Sequence, residues 1–140
     1  MTTMSAEDFD RLTTDLFYAQ KTDLVAQHIA EDFVDHDPLP GQPEGRDGTI
    51  WKIETFHAAF PDFKGQNTHV VVGDDKIVHE YRCEGTHQGE FLGMPATGRH
   101  VHMRGIDILQ FRDGKIVARW GVFDTYGMMH QLGALGGDWS

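Results

Sequence analysis

Residues 99–124 read RHVHMRGIDILQFRDGKIVARWGVFD, and this stretch decides the fold. Apolar and polar side chains alternate on both sides of Asp113-Gly114. Asp-Gly between two alternating runs is the strongest short-range hairpin signal, because both turn residues accept positive φ. With Arg112 and Lys115 flanking the turn, the register assigns Met103, Asp107, Leu109 and Phe111 to one face. Ile116, Ala118, Trp120, Val122 and Asp124 then oppose them on that face, which is apolar yet holds two carboxylates. The other face carries Arg104, Gln110 and Arg119, but also Ile106, Ile108, Val117 and Phe123. That is too apolar for a freely solvated surface. A homodimer or homotetramer formed through this outer sheet face is expected.

Working outward, Tyr126 to Leu135 reads as a short closing helix. At the other end, Ser5-Ala6-Glu7-Asp8 has the spacing of a capping box. Phe9, Leu12 and Leu16 follow at helical spacing, and a second short helix centres on Leu24, Val25, His28 and Ile29. Asp35 to Gly48 is loop chemistry throughout. A third helix fits Thr49 to Phe60, with Ile50, Ile53, His57 and Phe60 on one stripe and Pro61 as its stop. His69 to Val72 and Ile77 to Glu84 read as strands around a Gly73-Asp74-Asp75 turn. In the second of them Ile77, His79, Tyr81 and Cys83 face inward by polarity. Helices first and antiparallel strands after predict an α+β fold, one domain over residues 1–140.

Lys plus Arg number 12 against 22 Asp plus Glu, a formal net charge of −10 with histidines neutral. That sign argues against nucleic acid and anionic membrane as the main partner, since both need a basic footprint. Cys83 is the only cysteine, so no internal disulfide forms and a reducing, cytoplasmic setting is expected. The first ten residues lack the regions of a signal peptide, and no apolar run is long enough to span a membrane.

Asp124 leads the candidates for chemistry. At a strand end beside Trp120, Val122 and Met103 it would lose hydration, acquire a raised pKa and serve as a general base. The competing reading makes it the N-cap of the helix that follows. Asp107 lies one layer further in, opposite Trp120, where it would divide acid and base roles with Asp124 or bond a backbone N–H or a histidine. His36 would orient a substrate or cap its own turn. His79 and Tyr81 share the pocket side, with the Tyr81 hydroxyl on a substrate oxygen or on a backbone carbonyl. Trp51, Phe60, Phe91 and Met94 are pocket walls or plain core.

His100-Val101-His102 puts two imidazoles on one strand face. No acid follows at a recognisable ligand spacing, and neither His-x-x-x-His nor His-Glu-x-x-His occurs, so no metal is expected. Phosphate-binding loops, a dinucleotide fingerprint and a nucleophile elbow are likewise missing from the sequence.

Several segments resemble the SnoaL-like polyketide cyclase family of the nuclear transport factor 2-like superfamily. They are Phe60-Pro61-Asp62-Phe63, Gly85-Thr86-His87-Gln88-Gly89-Glu90-Phe91, Pro95-Ala96-Thr97-Gly98-Arg99, Asp113-Gly114-Lys115-Ile116, Trp120 with Asp124, and Gln131-Leu132-Gly133. The resemblance implies a cone-shaped α+β barrel, a curved antiparallel sheet wrapped by helices around a pocket for an apolar small molecule. It implies that Asp124 matches the family's acid/base in an aldol-type ring closure, with no cofactor, and that copies assemble through the outer sheet face. The superfamily also includes non-catalytic binders, so a small-molecule-binding module is the alternative.

Overall fold

The computed structural model describes residues 4–135; residues 1–3 and 136–140, the ends of the expected domain, lie outside the described residues. Helix α1, Ala6–Thr13, begins where the Ser5 side chain accepts a 3.1 Å bond from the Asp8 amide, and it buries Phe9 and Leu12. A π-helical turn, Thr14–Tyr18, continues it. Such turns are rare and gather at functional sites; this one carries Phe17 and Tyr18. A 3-10 turn, Thr22–Leu24, and α2, Val25–His28, complete the N-terminal helices.

Strand β1, Ile29–Asp35, is followed by α3, Arg46–Ala59. The remaining strands are β2, Lys64–Val72; β3, Lys76–Thr86; β4, His100–Arg112; and β5, Lys115–Phe123. Helix α4, Thr125–Gln131, follows β5. The strands form one curved, unclosed sheet in the order β1-β5-β4-β3-β2, antiparallel except for the parallel β1–β5 pair. The fold is α+β, as the order of helical and alternating patterns predicts. Strand β1 is the addition: the expected second helix stops at His28, and Ile29 already pairs with Ile116.

The hairpin forms around Asp113-Gly114, both at positive φ, and Arg112 pairs with Lys115 as expected. Beyond it the register departs from expectation. Strand β5 carries one extra residue, Val117, between the Phe111–Ile116 and Gln110–Ala118 partners. Because side chains alternate with a period of two, one inserted residue reverses every face beyond it. Trp120 and Val122, expected inside, pair with Ile108 and Ile106 on the outer face, where Val122 is 76% exposed. Arg119, Gly121 and Phe123, of which Arg119 and Phe123 were expected outside, oppose Leu109, Asp107 and Gly105 on the inner face. Asp107 therefore faces Gly121 rather than Trp120.

The inner face packs into two clusters. One joins Phe9, Leu12, Leu16, Ile29, Phe33 and Ile53 to Ile77, Leu109, Phe111 and Ile116. The other joins Phe60, Cys83, Phe91, Val101 and Met103 to Met128 and Leu132 of the C-terminal segment. Between them the sheet interior turns polar. No helix among the described residues is long and apolar enough to cross a membrane.

Candidate functional site

The polar interior is one connected network. Asn67 on β2 donates through Nδ2 to Asp10 Oδ1 and Thr13 Oγ1, both at 2.9 Å. Its Oδ1 faces His79 Nδ1 at 2.8 Å. His79 Nε2 faces Asp107 Oδ2 at 3.2 Å, and Asp107 Oδ1 accepts from Arg119 Nη2 at 2.9 Å. Arg119 Nη1 reaches Asp35 Oδ1, also at 2.9 Å, and Lys52 Nζ closes the row on Asp35 Oδ2 at 3.0 Å. The parallel β1–β5 register puts Asp35 beside Arg119, and the Val117 bulge turns Arg119 inward to meet it.

Two small cavities flank this row, of about 70 and about 50 Å³. Lys52, His79, Asp107 and Arg119 line both of them. The larger is walled by Phe17, Tyr18, Phe56, Phe63, Tyr81 and Phe123. Ring pairs Tyr18–Phe63 and Phe56–Phe63 at 5.4 Å, and Phe56–Phe123 at 6.0 Å, close it with aromatic edges. Room for the two tyrosines comes from glycine: a Cβ at Gly65 would collide with the Tyr18 hydroxyl, and one at Gly105 with the Tyr81 ring.

Burial pushes the Asp107 carboxyl up, but the His79 hydrogen bond and the Arg119 charge outweigh it and hold it below the usual carboxylate range. Asp35 follows the same pattern, with Lys52 and Arg119 bringing it well below that range against burial. Burial and the Arg119 charge lower Lys52, opposed by Asp35. Burial, reinforced by Asp107, pushes the Tyr81 hydroxyl far up, so it is a neutral donor at any physiological pH. The result is an ionised carboxylate, a protonated phenol and paired cations on the wall of an otherwise apolar cavity.

Of the residues singled out from sequence, the structure brings His79, Tyr81 and Asp107 together there. Met103 is buried on the same sheet face but in the second apolar cluster, as is Phe60. Trp51 stands over Gly41 in the loop before α3, away from the cavity. His36 and Trp120 lie outside it and stack on each other, ring centroids 4.6 Å apart and planes at 2°. Asp124 is exposed, and its Oδ1 accepts the Gly127 amide at 2.9 Å. The expected burial of Asp124 beneath Trp120 fails for the same reason as the strand faces: the bulge turns both away. The geometry is that of the N-cap.

Sequence reasoning missed Asp35, Lys52, Asn67 and Arg119. Lys52 sits one position before Ile53 on the apolar side of α3, where a lysine reads as a solvated edge. Arg119 had a signal, a charge between Ala118 and Trp120 in an apolar strand. Its inward direction depends on a bulge that alternation cannot show.

Residues 7–132 match the family described as SnoaL-like polyketide cyclase. The chain is 30% identical over 134 residues to the aklanonic acid methyl ester cyclase DauD of Streptomyces sp. (strain C5), covering 90% of this chain and 80% of that protein. Among solved structures, IdmH of Streptomyces antibioticus is 30% identical with a TM-score of 0.77, over 93% of this chain and 99% of that one. TsrD of Streptomyces laurentii shares the fold, with a TM-score of 0.83 at 24% identity over 94% of this chain and 99% of that one. The family match runs from α1 to the residue after α4 and so takes in every side chain of the polar row: the chain belongs to the SnoaL-like polyketide cyclase family.

Proposed function

We propose that the protein catalyses acid/base ring closure on a carbonyl-bearing small molecule, with Asp107 rather than Asp124 as the proton carrier. The observation that carries this reading is the Asp107–His79 contact, buried on the cavity wall and held at its far oxygen by Arg119. In the reaction, Asp107 removes an acidic C–H proton flanked by two carbonyls, and the electron pair delocalises into those carbonyls. The enolate carbon then bonds to an acceptor carbonyl carbon within the same molecule. The acceptor oxygen takes the proton back from Asp107 as alcohol, so no cofactor enters the balance.

Arg119 and the Tyr81 hydroxyl are the donors available to the enolate oxygen. A substrate that draws Arg119 toward that oxygen also weakens its hold on Asp107. Asp107 then loses one of the two partners that offset its burial, and the carboxylate becomes a stronger base once the ligand is bound. A cavity of about 70 Å³ holds only a few water molecules' worth of space. Entry of a multi-ring ligand therefore requires Phe17, Phe56, Phe63 and Phe123 to swing aside.

The test is deuterium exchange from D2O into a 1,3-dicarbonyl probe, followed by turnover of aklanonic acid methyl ester, the compound named for DauD. Asp107→Asn is expected to lose on the order of a hundredfold or more in both, while Asp124→Asn keeps most activity. Loss in Asp124→Asn with Asp107→Asn active would move the chemistry to the pocket exterior. Probe binding without exchange in the unsubstituted protein would favour the non-catalytic binding module.

The same reading includes self-assembly through the outer sheet face. Ile106, Ile108 and Val122 stand exposed there at 41%, 38% and 76%. A monomeric mass by light scattering at micromolar concentration would contradict it.

A further inference from the structure

On the outer face of β3 and β4, away from the polar interior, the sheet register assembles a second cluster. Glu84 pairs with His102 across the strands and Thr86 pairs with His100, so the two histidines and the acid share one surface. The acid that the linear spacing lacks is supplied by the neighbouring strand. His102 Nδ1 lies 3.0 Å from Glu84 Oε2, and His100 Nε2 lies 3.8 Å from the same oxygen. One ligand atom from each of the three residues falls within 4.8 Å of the others.

From these positions we infer a binding site for a divalent late first-row transition metal, Zn2+ being the type case, held by Glu84, His100 and His102. Two imidazoles and a carboxylate are a borderline-soft donor set suited to such ions rather than to Mg2+ or Ca2+. Ligand bonds of about 2.0–2.1 Å in a tetrahedron put donor atoms about 3.3 Å apart. The two distances to Glu84 bracket that value, and the half-exposed and exposed histidine rings leave rotamer freedom to close the remainder.

The surroundings prepare the ligands. The Asp62 carboxylate accepts from the Thr86 amide at 2.6 Å and from its hydroxyl at 2.8 Å. With its proton committed to Asp62, the Thr86 oxygen acts as acceptor toward His100 Nδ1 at 3.0 Å. That places the His100 proton on Nδ1 and leaves Nε2, the atom facing Glu84, with a free lone pair. A histidine whose far nitrogen donates into a hydroxyl–carboxylate relay is the usual second layer of a metal site. Gln131 fixes the other ligand's backbone, its amide bonded to both the N–H and the C=O of His102 at 2.7 Å. Lys64 Nζ, 3.2 Å from Glu84 Oε1, takes the carboxylate oxygen that faces away from the histidines. Three protein ligands leave a fourth position for water or an exogenous group, and Glu84 and His102 line a surface groove with Gln66, Met103 and Asp124.

The test is calorimetric titration of the chelator-treated full chain with ZnCl2 near pH 7.5. One saturable site per chain is expected, with micromolar or tighter affinity. His100→Ala, His102→Ala and Glu84→Gln each weaken it at least tenfold, and His69→Ala, on an exposed part of β2, leaves it unchanged. No saturable heat below millimolar zinc, or single variants that bind like the parent, would overturn the site. A second measurement covers variants that misfold. Paramagnetic Cu2+ added to the unsubstituted protein should broaden the imidazole resonances of His100 and His102 first; broadening other histidines before these would also overturn it.

Discussion

Asp107 Oδ1 and Arg119 Nη2 lie 2.9 Å apart on adjacent strands, and the residue opposite Asp107 is Gly121, where a Cβ would collide with both groups. A buried ion pair repays its desolvation only when its geometry is held closely. Here a glycine hydrogen provides that closeness.

Gly121→Ala should force the carboxylate and guanidinium apart or shift β5 outward. A loss of about 1–3 kcal/mol, the usual cost of overpacking, is expected in urea unfolding. A variant as stable as the parent would mean that the pair relaxes freely.

Acid stability follows from the same row. Asp35 and Asp107 have native pKa values below their unfolded ones, so each contributes stability that is complete above about pH 4 and lost as pH falls through the native value. The thermal midpoint should be flat from about pH 7 to 5 and drop steeply below about pH 4. Arg119→Met strands both carboxylates, costs about 3–5 kcal/mol at neutral pH and, by raising their native pKa values toward the unfolded ones, makes the acid limb shallower. An unmoved acid limb in that variant would exclude the network as its source.

Cys83 is buried in the second apolar cluster, and burial, with a contribution from Glu84, pushes its thiol up to about 12. The thiolate is the reactive form, so the native protein should be inert to a chromogenic disulfide at pH 8. Labelling should proceed at the rate of unfolding. Rapid labelling of the folded chain would show that the cluster opens.

Asp124 caps α4 through one oxygen. Asp124→Ala should cost about 1 kcal/mol and Asp124→Asn, which can still accept, much less. Equal loss in the two variants would mean that charge, not capping, is what the site needs.

Much of this fold is written locally. The Ser5 cap, the Phe9-Leu12 stripe, the Asp113-Gly114 turn and the inward row Ile77, His79, Tyr81, Cys83 each follow from spacing within one element. Strand β1 does not, because its burial runs irregularly past a register shift between Ile29 and Val34 and gives no clean alternation. The candidate site was half legible. His79, Tyr81 and Asp107 lie on strands whose alternation is unbroken between them, whereas Arg119, Trp120 and Asp124 lie past the bulge and all change sides. Asp35 and Lys52 join the row through pairings between distant segments, which no local pattern encodes.

The bulge at Val117 also makes the interior's chemistry an all-or-none trait of strand register. Drawing that residue into the ladder, Val117 on Gln110, would slip every pair beyond it by one, swing Arg119 onto the outer face opposite Ile108 and bring Trp120 opposite Asp107, a carboxylate then without its cation. Along this strand, then, a one-residue slip of register exchanges a charged interior for an aromatic one while the Asp113-Gly114 turn stays in place. A change of register at this position offers a shorter route between different pocket chemistries than any series of point substitutions.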